Sequence, residues 1–196
     1  MSPPRPSSAT VEPLQNNLRE FSPDERSQLL QLAHESIVSA LENRAISLEP
    51  PTPHFAEPKG AFTSLYLHGE LRGCVGYVLP ISSVYRAVAD TARAAAFQDT
   101  RFHSVTMKEA RELQIELSIL SSPQPIKAEE LEIGRHGLLI SLGGYRGLLL
   151  PQVPVEHHWD RETYLQQACR KAGLSSDAWQ KGAKIEAFTA EVFGEK

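Results

Sequence analysis

The stretch Leu71-Arg72-Gly73-Cys74-Val75-Gly76 sets a thiol two positions after a guanidinium, with a glycine on either side of the Cys74-Val75 pair. In a regular strand, residues 72, 74 and 76 share one face and residues 71, 73 and 75 take the other. Arg72 beside Cys74 would favour thiolate over thiol, and Gly76 would leave room next to the sulfur; a nucleophilic or metal-binding cysteine needs both. The same residues also have a plain structural reading. The glycines mark a bulge or a close backbone approach, Arg72 pairs with a buried carboxylate, and Cys74 is a small core residue. Both readings are open at the level of sequence.

A reactive cysteine needs a base or an orienting partner within hydrogen-bond reach. Among the seven histidines, His136 in GRHGLL is the first candidate, because it lies between a turn and a strand. His68 falls at a hairpin tip, His103 follows the DTRF segment, and His157 and His158 precede a helix start. Asp99 and Arg101 either bind a polar substrate or tie their loop down through an ion pair. Gly73, Gly76 and Glu156 complete the candidate binding set, and Trp159 reads as an anchor for the helix that follows it. Cys169 shares an apolar helix face with Leu165 and Ala172 and reads as core. A metal site built from Cys74 and a histidine stays open, although no closely spaced ligand pair accompanies Cys74 and no metal ligands are assigned; the cofactor is unknown. Phosphate-loop, zinc-protease and serine-hydrolase motifs are absent from the sequence, and GGYRG at 143–147 is explained by a hairpin turn.

The elements that must hold these residues are legible in part. Ser22-Pro23-Asp24-Glu25 is a capping box that opens an amphipathic helix with Leu30, Ala33, Ile37 and Leu41 at helical spacing. AFTSLYL and LRGCVGYVL flank His68-Gly69-Glu70 and predict a hairpin with Cys74 on its second strand. A helix follows from Ser82 or Ser83, with a narrow face of Val84, Val88, Ala92 and Ala95 or Ala96. Thr106-Met107-Lys108-Glu109 caps a short helix, and LQIELSIL alternates as a strand with one buried face. GLLIS and RGLLLP make a second hairpin around Gly143-Gly144. DRETYLQQACRKAG is a helix from Asp160 to Gly173, and IEAFTAEVF closes the chain as a single strand. Strands arriving as hairpins predict an α+β fold, an antiparallel sheet with packed helices.

The 196-residue chain is 41% hydrophobic and carries a net charge of −4, which is the composition of one globular unit with no electrostatic pull toward nucleic acid. Two cysteines far apart make no disulfide framework, and no apolar run is long enough for a membrane span. The expected setting is reducing and cytoplasmic. Residues 1–20, rich in Pro and Ser, are expected to be a disordered tail, with a folded domain over 21–196.

LRGCVG at 71–76, DTRF at 99–102, IELSIL at 115–120, GRHGLLI at 134–140, GLLLPQV at 147–153 and EHHWDRETYLQQACRKAGL at 156–174 occur in this order. Together they resemble the AMMECR domain family, also known as system protein A of the AmmeMemoRadiSam set. Thr100 stands where family members commonly have proline, and Val75-Gly76-Tyr77 departs mildly from the usual continuation. The resemblance implies an α+β domain with one larger and one smaller lobe around a groove, with the LRGC stretch near that groove. It also implies Memo-type and radical-SAM-type partner proteins, but no settled reaction. Two functions follow as expectations. In one, the chain is an enzyme or enzyme component in which Cys74, with Arg72 and His136, acts on a small polar substrate. In the other, it is a non-catalytic module that binds a protein or peptide over an LRGCVG floor.

Overall fold

The computed structural model describes residues 20–195. The expected tail therefore lies outside the described residues except for Glu20. The fold is α+β, with two antiparallel four-stranded sheets. The first helix, α1 (Pro23–Leu41), begins as its capping box requires: the Ser22 hydroxyl accepts from the Glu25 N–H while the Glu25 carboxylate accepts from the Ser22 N–H. Strands β1 (Gly60–Leu67) and β2 (Glu70–Tyr77) form the predicted hairpin. Its two turn residues, His68 and Gly69, both have positive φ, the backbone twist that a tight hairpin demands.

The next helix, α2 (Val84–Phe97), lays its alanine face on the β1–β2 hairpin. A loop and the capped turn α3 (Met107–Ala110) lead into β3 (Gln114–Leu120). With β8 (Ala190–Gly194) the first sheet has the order β2-β1-β3-β8, so β2, which carries Cys74, is an edge strand. Ile115, Leu117 and Ile119 are buried with Leu65, Val88 and Ile37 in one core between this sheet and α1 and α2.

The second sheet contains β4 (Gln124–Pro125), β5 (Gly137–Leu142), β6 (Tyr145–Leu149) and β7 (Lys184–Phe188), in the order β4-β7-β5-β6. A short helix α4 (Gln152–Glu156) and then α5 (Arg161–Lys171) follow β6. Leu138, Ile140, Leu149, Tyr164, Leu165 and Cys169 form a separate buried cluster.

The end of the chain corrects one expectation. IEAFTAEVF is two strands: β7 pairs with β5 in the second sheet, and β8 (Ala190–Gly194) pairs with β3 in the first. The switch occurs at Thr189, whose N–H donates to Ser121 Oγ at 2.9 Å and whose carbonyl accepts from the Ser121 N–H at 3.0 Å. Ser121 lies on the other crossing between the sheets, so the two crossings are hydrogen-bonded to each other. No glycine or proline marks the break. Pairing partners alone divide the segment.

Candidate functional site

Strand register builds the surroundings of Cys74. Cys74 pairs with Ser64 on β1, and Ser64 pairs with Glu116 on β3, so the three stand in one row across three strands. Residues directly opposite in a sheet share a face. The alternating burial of β1 puts Ala61, Thr63 and Leu65 toward the helices and leaves Phe62, Ser64 and Tyr66 on the other side. The Ser64 hydroxyl donates to the Cys74 sulfur at 3.3 Å. Burial, then the charges of Glu116 and Cys74, raise the Tyr66 phenol above its ordinary pKa.

The strand is not regular at its motif. Leu65 pairs with Gly73 and Tyr66 with Leu71, which leaves Arg72 as the extra residue of a β-bulge. The bulge separates the guanidinium from the thiol. Arg72 Nε donates to Glu109 at 2.9 Å and its Nη2 donates to the Ser104 carbonyl at 3.4 Å. The Glu109 carboxyl falls to about 2, held there first by Arg72 and then by the Thr106 N–H. Arg72 thus pins the α3 capping turn to β2. Gly76 does not leave a void either, because the Phe62 ring occupies the space a side chain there would take.

Asp99 and Arg101 act on the backbone of Cys74 itself. Asp99 Oδ2 accepts the Cys74 N–H at 2.9 Å, and Arg101 Nη2 donates to the Cys74 carbonyl at 3.3 Å. The two side chains are also paired in bidentate fashion, at 2.9 and 2.7 Å. On an edge strand the outward N–H and C=O would otherwise face solvent or a foreign strand. Here the DTRF loop supplies a donor and an acceptor in place of a neighbouring strand. Arg101 first, and the Cys74 N–H second, hold the Asp99 carboxyl far below the usual carboxylate range.

His136 is placed elsewhere. It precedes β5 in the second sheet, its Nδ1 accepts from the Glu132 N–H at 3.1 Å, and no hydrogen bond among the described residues joins it to Cys74. Burial first, then Arg135, lower its pKa. The GRHG block is tied to α5 by Tyr164, whose buried hydroxyl donates to the carbonyls of His136 and Leu149, both at 3.1 Å. Glu156 ends α4 and is exposed. Trp159 packs on the second cluster and stacks on His157.

Glu20, His54 and Glu57 bring possible metal-ligand atoms within 4.8 Å of one another. The Lys59 ammonium already pairs with both carboxylates there.

Ser64, Tyr66 and Glu116 were not singled out from the sequence, although the polar phase of AFTSLYL and LQIELSIL contains them. That phase reads as a solvated face until the register is known.

The depressed carboxylates predict an acid limit to stability. Folding lowers the pKa of Glu109 and of Glu25, which His54 and Ser22 hold at about 2 against an ordinary 4.5. Their stabilisation is complete above the ordinary value and is lost as pH falls from 4.5 toward about 2. Thermal melts are expected to be flat near neutrality and to drop through that window. A melting temperature unchanged down to pH ~2.5 would refute this coupling.

The model of the AMMECR1 family matches residues 30–193. Protein MJ0810 of Methanocaldococcus jannaschii is 40% identical over 188 residues, covering 91% of this chain and 94% of its own. Protein MK0488 of Methanopyrus kandleri is 41% identical over 180 residues, covering 86% and 87%. The crystal structure of the uncharacterised protein PH0010 from Pyrococcus horikoshii is similar at a TM-score of 0.70 and 37% identity, over 86% of this chain and 90% of that one. Matches of this extent, over both sheets and through the Cys74 row, place the chain in the AMMECR1 family.

Proposed function

We propose that the chain is an enzyme component whose working group is the Cys74 thiol, acting on a small polar substrate at the face shared by Ser64, Tyr66 and Glu116. One observation carries this reading. Cys74 is fixed at backbone level by a charged pair from another loop, while the residue stays partly exposed and its sulfur accepts from the Ser64 hydroxyl. Preorganisation of that kind suits a group that must meet a ligand in one geometry. Within the two-lobed domain expected over 21–196, this face would border the groove. Arg72 would support the site through the α3 turn, and His136 would belong to the opposite lobe.

The lack of a histidine hydrogen-bonded to Cys74 among the described residues favours a second reading, a non-catalytic module that binds a protein or peptide on the same face.

The test is to purify the chain with Memo-type and radical-SAM-type partners and follow a pool of small polar metabolites by mass spectrometry. Conversion that needs Cys74 and is lost in Cys74→Ser supports the enzyme reading. Conversion that survives Cys74→Ser, or none with the assembled partners, removes it. In the second case, capture of a peptide that protects Cys74 from alkylation supports the binding module.

A further inference from the structure

We propose that the depression between Arg72 and the loop after α2 binds a small phosphate-type oxyanion. It has a volume of about 490 Å³ and is lined by Arg72, Arg101, His103, Ser104, Thr106 and Glu109, with the Phe102 ring as an apolar wall. Cys74 is not part of this lining, so the proposal stands whether or not the thiol reacts.

The acceptors that the protein supplies here are already engaged. Glu109 accepts from Arg72 Nε and from both the N–H and O–H of Thr106, while Asp99 accepts from Nε and Nη2 of Arg101. Donors are left over. Arg72 Nη1 is buried and has no partner, a state that native structures avoid because a guanidinium N–H is expensive to desolvate without an acceptor. Arg101 Nη1, the His103 ring and the Ser104 hydroxyl likewise make no hydrogen bond among the described residues.

Two carboxylates balance the two guanidiniums, so net charge is not what would draw a ligand in; the unused N–H and O–H groups are. They belong to separate residues, more than the two oxygens of a carboxylate can engage, and the tetrahedral oxygens of a phosphate answer them better. Arg101 is 57% exposed, which leaves its guanidinium room to turn toward a bound ion. Arg72 lines the depression with its side chain 14% exposed, so an ion there would reach the buried Nη1 by a small shift of its neighbours or through a bridging water. The exposed His103 ring offers a further N–H to the ion.

The experiment titrates the full chain with inorganic phosphate at constant ionic strength, read by calorimetry and by the arginine side-chain NMR signals. Parallel arms use glycerol phosphate and acetate. The expected result is saturable phosphate binding that moves the Arg72 and Arg101 signals and weakens about tenfold in Arg101→Gln, the loss expected of one charge-assisted contact. His103→Ala, an exposed position, serves as a second variant should Arg101→Gln melt early, and it should weaken phosphate binding. Cys74→Ser should bind as well as the parent. Tighter binding of glycerol phosphate would assign the ion to a phosphorylated metabolite, and tighter binding of inorganic phosphate to the free ion. The proposal is overturned by no saturation through the roughly millimolar range, by acetate equalling phosphate, or by unchanged affinity in both Arg101→Gln and His103→Ala. Loss of binding in Cys74→Ser alone would move the ion to the thiol and overturn the placement.

Discussion

Gly73→Ala is expected to destabilise the folded chain by about 3 kcal/mol, the upper end of the range for overpacking a well-filled site. A methyl group at Gly73 would lie 3.1 Å from the carbonyl carbon of Ala95 and nearer still to its oxygen. That atom is backbone in α2, so it cannot turn away as a flexible side chain would. Helix and strand would have to separate, and Ala95, Ala92 and Val88 would lose contact with the core they share with Leu65. The bulge at Arg72 and the Asp99–Arg101 hold on Cys74 lie on either side of this position, so the damage would spread to the site. Gly144→Ala is the matched control: its turn leaves nothing within 4 Å and it has no positive φ, so its effect should stay within about 0.5 kcal/mol. Urea denaturation of both variants checks the difference. Equal midpoints would mean that Gly73 is not a packing requirement, and its place in the motif would then need another cause.

The contrast between those glycines shows what the sequence could and could not disclose. Both hairpins, both capping boxes and the buried phase of β3 were legible, because each depends on residues within a few positions of one another. Cys74 was rightly placed on a strand. Its surroundings were not legible, since a one-residue bulge redirects Arg72 and only pairing with β1 reveals it. Ser64 meets Cys74 through the register of their hairpin, and Glu116 carries no local sign of neighbouring Cys74, because it joins the row only through pairing of β1 with the distant β3. His136 lies in a block that resembles the family as strongly as LRGC does, yet the two blocks fall in different sheets. The split at Thr189 follows the same rule: a continuous β-pattern says that a segment pairs, not with what.

Native-state alkylation is expected to separate the two cysteines by a factor of ~10³ or more, the protection a stable fold gives a buried group. Cys169 is fully buried on α5 beside Leu165 and Ala168, and burial pushes its thiol pKa up. It can react only after local or global unfolding exposes it. Cys74 is partly exposed on the face away from the helices, and its neighbours there are Ser64 and Tyr66. Iodoacetamide treatment of the folded chain, followed by peptide mass spectrometry, should modify Cys74 first and Cys169 only with the unfolding rate. Cys74→Ser should remove the fast phase with little change in melting, since a hydroxyl at this half-exposed position keeps Ser64 as a partner. Cys169→Ser should leave the fast phase intact and cost roughly 1–3 kcal/mol, because it buries a hydroxyl in a largely apolar cluster, the lower end applying if the Trp179 backbone beside the sulfur serves as its partner. The outcome decides between the two readings of the motif. If Cys74 proves as slow as Cys169, the outer face of β1 and β2 is closed in solution, and the thiol is there only because it is small. If it is fast, and the phase slows in Glu116→Gln or Ser64→Ala without a loss of stability, the row across three strands is coupled to the thiol.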